Sequence, residues 1–268
     1  MKSSIMSNVH PEAKIGANVV VEPFATIHRD VVVGDGTWIS ANAVLMNGAR
    51  VGKNCKIYPG AVIAGEPQDL KFNGEASTAE IGDNTTIREY VTVNRGTAAS
   101  GKLRTVVGSN SLVMSYVHIA HDCRIGNNVI MSGYVGLAGE VEVGDWAIVG
   151  GGSLAHQFVH IGEHAMISGG SKIGKDIPPY VTAGHDPLVY GGVNVIGLRR
   201  RGYTAEQVKE IHDIYRILYQ SKLNVTQACE EIGKLPASAE RDAILSFIRS
   251  SKRGIIRANV GGAVKIEL

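Results

Sequence analysis

Residues 9–63 read VHPEAKIGANVVVEPFATIHRDVVVGDGTWISANAVLMNGARVGKNCKIYPGAVI, and an aliphatic side chain falls on every sixth position: Val9, Ile15, Val21, Ile27, Val33, Ile39, Leu45, Val51, Ile57 and Ile63. Ten successive positions without a miss define a structural period. The same phase returns at Ile81, Ile87 and Val93, and a second series runs through Val107, Val113, Ile119, Ile125, Met131, Leu137, Val143, Val149, Ala155, Ile161, Ile167 and Ile173. A helix period of 3.6 does not yield one obligatory aliphatic per six residues, and neither does strand alternation alone.

A solenoid does: a short strand, a corner and the next short strand each turn one side chain toward a narrow axis, and every coil stacks on its neighbour. Glycines 18 apart (Gly16, Gly34, Gly52, then Gly108, Gly126, Gly144, Gly162) show that three hexads close one circuit. The spacing therefore predicts a mainly β fold, a triangular prism of parallel strands with about eight to ten coils. Residues 18 apart lie one above another at the ~4.8 Å strand spacing. Two interruptions break the clock and predict loops leaving the prism at 64–80 and 94–106. Loops on a rigid scaffold are favoured places for function.

Beyond Ile173 the clock stops, and IPPYVTAGHDPLVYGGVN (177–194) reads as an irregular connection. Helical spacing follows: Ala205, Val208, Ile211, Tyr215, Leu218 and Tyr219 form one apolar stripe, led by a Thr204/Gln207 capping box. Val225, Ala228, Ile232 and Leu235 suggest a second helix, and Ile244, Leu245 and Ile248 a third. The expected organisation is a prism over 1–190, a small helical domain over 191–257 and a tail over 258–268.

Bulk numbers set limits on function. The 268 residues are 44% hydrophobic, enough for a core, and 27 basic against 25 acidic residues argue against nucleic acid as a partner. No apolar run reaches the ~18 residues of a membrane span, and the first residues lack a secretory apolar stretch, so no stable membrane insertion is expected and the chain reads as cytoplasmic. Three cysteines, Cys55, Cys123 and Cys229, without CxxC spacing, read as free thiols.

The 18-residue arithmetic also says which polar residues meet. His121, Gly139 and Gln157 stack at one corner, Asp122 lies under Glu140, and Ala120 lies under Ala138 and then His156, with His118 close by. A neutral imidazole can take a proton from a hydroxyl near pH 7, which makes His121 the candidate base. Asp122 can orient the ring, and the Gly139 amide, unshielded by a side chain, can donate to an oxyanion. Together these suit acyl transfer; a surface histidine cluster is the plain alternative. For metal, His121 and His156 stand near ~10 Å apart at the strand spacing, too far for one chain to close a zinc site, which leaves only a site shared between subunits. Gln68, Asp69 and Lys71 can hold a polar substrate or form a solvated loop. Arg199, Arg200 and Arg201 can meet a phosphate or an acidic protein, or simply cap the helical domain.

GEPQDLKF (65–72), IREYVTVNRGT (87–97), HIAHDC (118–123), AHQFVHIG (155–162), DIPPYV (176–181) and GVNVIGLRRRG (192–202) resemble, in order, the family of UDP-N-acetylglucosamine O-acyltransferases that begin lipid A synthesis. The resemblance covers residues from about 9 to 257. It implies a left-handed parallel β-helix and transfer of an (R)-3-hydroxyacyl chain from acyl carrier protein to the 3-hydroxyl of UDP-N-acetylglucosamine. It casts His121 as general base, Asp122 as its partner and Gly139 as oxyanion donor, with no metal or cofactor. It also places Asp69, Lys71, His118, His156 and Gln157 along a cleft between subunits of a homotrimer, with Asn194 and Arg200 at the nucleotide end and Gly169 on the floor of the acyl groove. An acidic carrier protein would suit the basic helical domain. Glu140, at a position that the resemblance makes a sugar-side substrate contact, and Asn94 depart from positions where members commonly, or sometimes, carry histidine. The related N-acyltransferases usually carry an extra domain before the prism, whereas hexads here begin at Val9. A non-catalytic scaffold would explain the hexads but not the clustering of His121, Asp122 and Gly139.

Overall fold

A computed structural model describes residues 2–258. Two-residue strands alternate with corners, and the second residue of each strand points inward. In Val32–Val33, Trp38–Ile39 and Val44–Leu45 the first residue is half-buried and the second buried. The inward residues are the hexad anchors, nearly all under 4% exposed from Val21 onward, and they form one continuous column. Desolvating one aliphatic side chain contributes about 1.5–3 kcal/mol, so a thin core suffices when the motif repeats this often.

The strands form three sheets of twelve, nine and eight members, designated I, II and III. The chain visits them in rotation: Leu112–Val113 in sheet I, His118–Ile119 in II, Arg124–Ile125 in III, then Ile130–Met131 in I again. Register follows the 18-residue circuit, with Ile39 beside Ile57 and Val113 beside Met131. Where loops intervene the step lengthens: Ile57 pairs with Ile87, 30 residues on, and Ile87 with Val113, 26 residues on. The two excursions are shorter than the spacing suggests, 66–77 and 95–103, because the strands Val62–Gly65, Thr78–Ile81 and Arg104–Val107 run beyond their hexads.

The prism is a left-handed parallel β-helix, and its corners are left-handed residue by residue. Every sixth position from Asn110 to Gly170 has positive φ, including Tyr116, Asp122, Tyr134, Glu140, Trp146, Phe158 and His164. Such a backbone costs a non-glycine residue about 1–2 kcal/mol. Stacking offsets part of it down two of the corners: the Tyr90, Tyr116 and Tyr134 rings lie 5.2 and 4.9 Å apart, and the His164 ring lies between those of Trp146 and Tyr180.

Residues 177–194 are not irregular, as their composition suggested. Val181–Gly184 extends sheet I, and Val189–Val193 folds back on it antiparallel. Arg257–Ala258 then pairs with Val189–Tyr190, so Ala258 belongs to the sheet rather than to a tail, and residues 259–268 lie outside the described residues. Four helices follow the hairpin: α1 (Val195–Arg200), α2 (Ala205–Gln220), α3 (Val225–Gly233) and α4 (Ala239–Ser250). The capping box at Thr204 and Gln207 is present. The fully buried Tyr215 anchors α2 to the top of the prism through a hydroxyl that donates to the Pro179 carbonyl at 2.5 Å. No helix among the described residues is long and apolar enough to cross a membrane.

Candidate active site

His118–Ile119 pairs with Gly136–Leu137, which brings Gly139 directly over His121 at the corner between sheets II and III. The closeness is measurable: a Cβ on Gly139 would sit 2.6 Å from His121 Cε1 and 2.7 Å from Nε2, so only glycine fits. The Glu140 amide donates to the His121 carbonyl at 3.0 Å, locking the two coils together.

The ring itself is held at one end. His121 Nδ1 lies 2.8 Å from Asp122 Oδ2, and Asp122 is fully buried. Asp122 Oδ1 accepts from the Thr97 amide at 2.9 Å, Oδ2 accepts from the Thr97 hydroxyl at 2.7 Å, and the Asp122 amide donates to Thr105 Oγ1 at 2.7 Å. Burial pushes the Asp122 carboxyl up, but the hydrogen bonds from His121 and Thr97 outweigh it and leave Asp122 below the usual range, hence ionised. The hydrogen bond to Asp122 holds His121 above its ordinary value against burial, and the charges of Asp122, Asp69 and Glu140 add to it. An ionised acceptor at Nδ1 fixes the proton there and leaves Nε2 as the basic nitrogen. Thr97 lies on the second excursion, and neither it nor Thr105 was singled out by the sequence.

Other predicted residues divide by position. Asp69 reaches the site: its Oδ2 is 3.9 Å from His121 Nε2, and its Oδ1 accepts from the Lys71 amide at 3.0 Å. The Gln68 and Lys71 side chains are exposed beside it. His118 Nδ1 is 2.7 Å from Thr92 Oγ1, and burial followed by the nearby His121 keeps its pKa below the ordinary value, so it stays neutral. His156 and Gln157 are exposed one coil above Gly139, next to Leu154 and Phe158 at 58% and 50% exposure.

Gly169 lies at a different corner, between sheets I and II, where the backbone of Gly151 passes beneath it. Asn194, Arg200 and Arg201 belong to the helical end. Asn194 is not a free substrate contact within this chain, because it is 5% exposed and both ends of its amide are used. Oδ1 caps α1 by accepting from Gly197, and Nδ2 donates to the His164 carbonyl at 2.9 Å. Arg201 packs over Trp146 at 5.4 Å and approaches His164, while Arg200 is exposed. One chain thus brings His121, Asp122 and the Gly139 backbone together, but leaves Gly169 and the arginines elsewhere. A cavity of about 700 Å³ between sheet III and α4 lies away from His121. No group of three or more His, Cys, Asp or Glu side chains among the described residues converges as a metal site.

Known proteins share this architecture. The family model described as "Udp N-acetylglucosamine O-acyltransferase; Domain 2" matches residues 176–256, and that of the bacterial transferase hexapeptide matches 30–65 and 104–139. The chain is 54% identical over 263 residues to the acyl-[acyl-carrier-protein]–UDP-N-acetylglucosamine O-acyltransferase of Chlorobaculum parvum, covering 93% of this chain and 97% of that protein. Among solved structures, the UDP-N-acetylglucosamine acyltransferase of Bacteroides fragilis 9343 superposes with a TM-score of 0.92 at 53% identity, covering 95% of this chain and 99% of the other. The Francisella novicida enzyme superposes with a TM-score of 0.94 at 35% identity, covering 98% and 97%.

Proposed function

Since the chain belongs to the UDP-N-acetylglucosamine O-acyltransferase family, an acyl-carrier-protein-dependent enzyme of the first step of lipid A synthesis, we propose that His121 is its general base and that the donor is an (R)-3-hydroxyacyl thioester. The observation that carries this reading is the stack of His121 beneath Gly139 with Asp122 bound to Nδ1.

The steps follow from the donors and acceptors. His121 Nε2 takes the proton from the sugar 3-hydroxyl as that oxygen attacks the thioester carbonyl. Charge develops on the carbonyl oxygen, where the Gly139 amide donates. Asp122 stabilises the imidazolium and prevents the ring from turning. On collapse the C–S bond breaks, and His121 returns its proton to the departing thiolate of the carrier's prosthetic arm. The Asp69 carboxylate, aimed at the same face of the ring, is placed to accept from a sugar hydroxyl. Lys71, Gln68, His118, His156 and Gln157 form the surrounding polar wall.

The partner of this half-site is a neighbouring subunit. Sheet III turns a mostly charged row outward (Lys14, Arg50, Glu80, Arg124, Glu142 and His160, interrupted by Val32 and Val106), whereas the upper part of sheet I presents Leu112, Ile130, Ile148 and Met166 without a charge between them. An apolar stripe on an otherwise polar surface marks an interface. A closed threefold ring sets unlike faces of successive subunits together, which supports a homotrimer whose clefts take His121 from one chain and Arg200 and Gly169 from the next. Exposed arginine on the helical domain suits a sugar nucleotide's phosphates and an acidic carrier protein.

The test is transfer from defined hydroxyacyl carrier proteins to UDP-N-acetylglucosamine. His121→Ala is expected to keep the wild-type oligomer and lose about 10²- to 10⁴-fold or more in turnover. Wild-type turnover in that variant would overturn the assignment.

A further inference from the structure

The two excursions meet beside His121. Arg95 opens the second, and its backbone amide donates to the Gly65 carbonyl, at the root of the first, at 3.0 Å. Its side chain, 14% exposed, then reaches along the first excursion: the guanidinium lies 5.0 Å over the Phe72 ring, Nη2 is 3.6 Å from Glu66 Oε1, and Nη1 donates to the Asn47 carbonyl at 3.4 Å. The neighbouring Asn94 donates from Nδ2 to the Glu66 carbonyl at 2.8 Å. Glu75 makes a further link, accepting from the Asn73 amide at 2.8 Å and from the Ala98 amide of the second excursion at 2.7 Å. Midway between Glu66 and Phe72 in the chain stands Asp69, whose carboxylate faces His121 Nε2.

We propose that Arg95 is a positioning residue for the acyl transfer: by clamping Phe72 and Glu66 it holds the first excursion so that Asp69 stays opposite His121 Nε2. The inference rests on the reading of His121 as base and of Asp69 as the acceptor from a sugar hydroxyl. The ring contact carries most of the grip. Glu66 is 71% exposed, and an ion pair in water contributes little, whereas a guanidinium shielded against a ring face is attracted more strongly. Stability alone does not account for the arrangement, because Arg95 Nε is buried without a hydrogen-bond partner among the described residues, a desolvation cost that an apolar side chain would not incur. What the arginine adds is a tie between two loops. Two residues on, Thr97 binds both oxygens of Asp122, so the tripeptide Arg95, Gly96 and Thr97 fixes the carboxylates at both nitrogens of one imidazole. Gly96 leaves no slack in it: a Cβ there would run into the backbone of Leu103 and Arg104.

The test reads the loop and the kinetics separately in the full-length protein. Arg95→Met keeps an unbranched stem and removes the cation. The Lys71, Phe72 and Asn73 amides, bonded within the loop to Asp69 and Glu75, report whether it opens. Their hydrogen exchange is expected to quicken, and KM for UDP-N-acetylglucosamine to rise, by about 3- to 10-fold each with kcat little changed, the size of one partly desolvated cation–π contact. Arg95→Lys, which keeps a cation for the ring, should recover most of both, and Phe72→Leu should reproduce the loss from the side of the loop. In an Asp69→Asn background, Arg95→Met should add less than about twofold to the loss in kcat/KM. Unchanged exchange in Arg95→Met would overturn the clamp, and effects of Arg95→Met and Asp69→Asn that multiply would overturn its action through Asp69. Exchange quickened throughout the prism, with kcat falling as far as kcat/KM, would assign Arg95 to the fold alone and overturn the proposal. Wild-type kinetics in Asp69→Asn, beside quickened loop exchange in Arg95→Met, would instead overturn Asp69 as the sugar contact and leave the clamp standing.

Discussion

Within the catalytic corner, individual atoms decide what can be changed. Gly139 has no room for a methyl group, because its Cβ would lie 2.6 Å from the His121 ring, and both neighbours are fixed, one by a corner and one by Asp122. Gly139→Ala is expected to fold, to shift the ring off its hydrogen bond and to lose at least about 10²-fold in turnover, as for other lost oxyanion donors. Near-normal kinetics would place the oxyanion elsewhere. The acid limb of the wild-type profile should lie above the ordinary histidine pKa of about 6.5, since the base must be neutral to act and its Asp122 bond, with the nearby carboxylates, favours the charged form. A limb at or below that value contradicts the arrangement.

For the elements, the question is what each strand, loop and helix fixes in place. Asn194 caps α1 and ties it to the corner carbonyl of His164, so Asn194→Ala should cost about 1 kcal/mol, seen as a Tm lower by about 2–4 °C. A weaker KM for UDP-N-acetylglucosamine with unchanged Tm would show it to be a ligand contact instead. Much of this level was legible in the sequence. One aliphatic per six residues gave the strands, and glycines 18 apart gave the circuit that stacks Gly139 on His121. The Thr204/Gln207 pair gave the start of α2. The hairpin at 181–193 was hidden because its strands, VTAG and VYGGV, lack the alternation of a half-buried strand: the first is buried on both faces, and the second carries two glycines, whose missing side chains erase the pattern. The hold of Thr97 on Asp122 was invisible for another reason. Spacing predicts what stacks along the prism, but not where a loop that has left it comes back.

For the molecule as a whole, the proposed cleft needs a second chain. If sheet I is an interface, Ile130→Asp should reduce the particle from three times the chain mass to one in sedimentation or light scattering, and activity should fall with it while His121 is untouched. A fully active monomer would contradict the shared cleft. The rotation of the chain through three sheets has a further consequence for this shape. Each circuit adds a constant rise of about 4.8 Å and no width. An 18-residue coil inserted between Phe158 and the hairpin would lift the helical cap by that one increment without disturbing the base or its glycine. The separation between His121 and the arginines proposed to hold the nucleotide could thus be dialled in fixed steps, a property of a spiral staircase that a globular core does not offer.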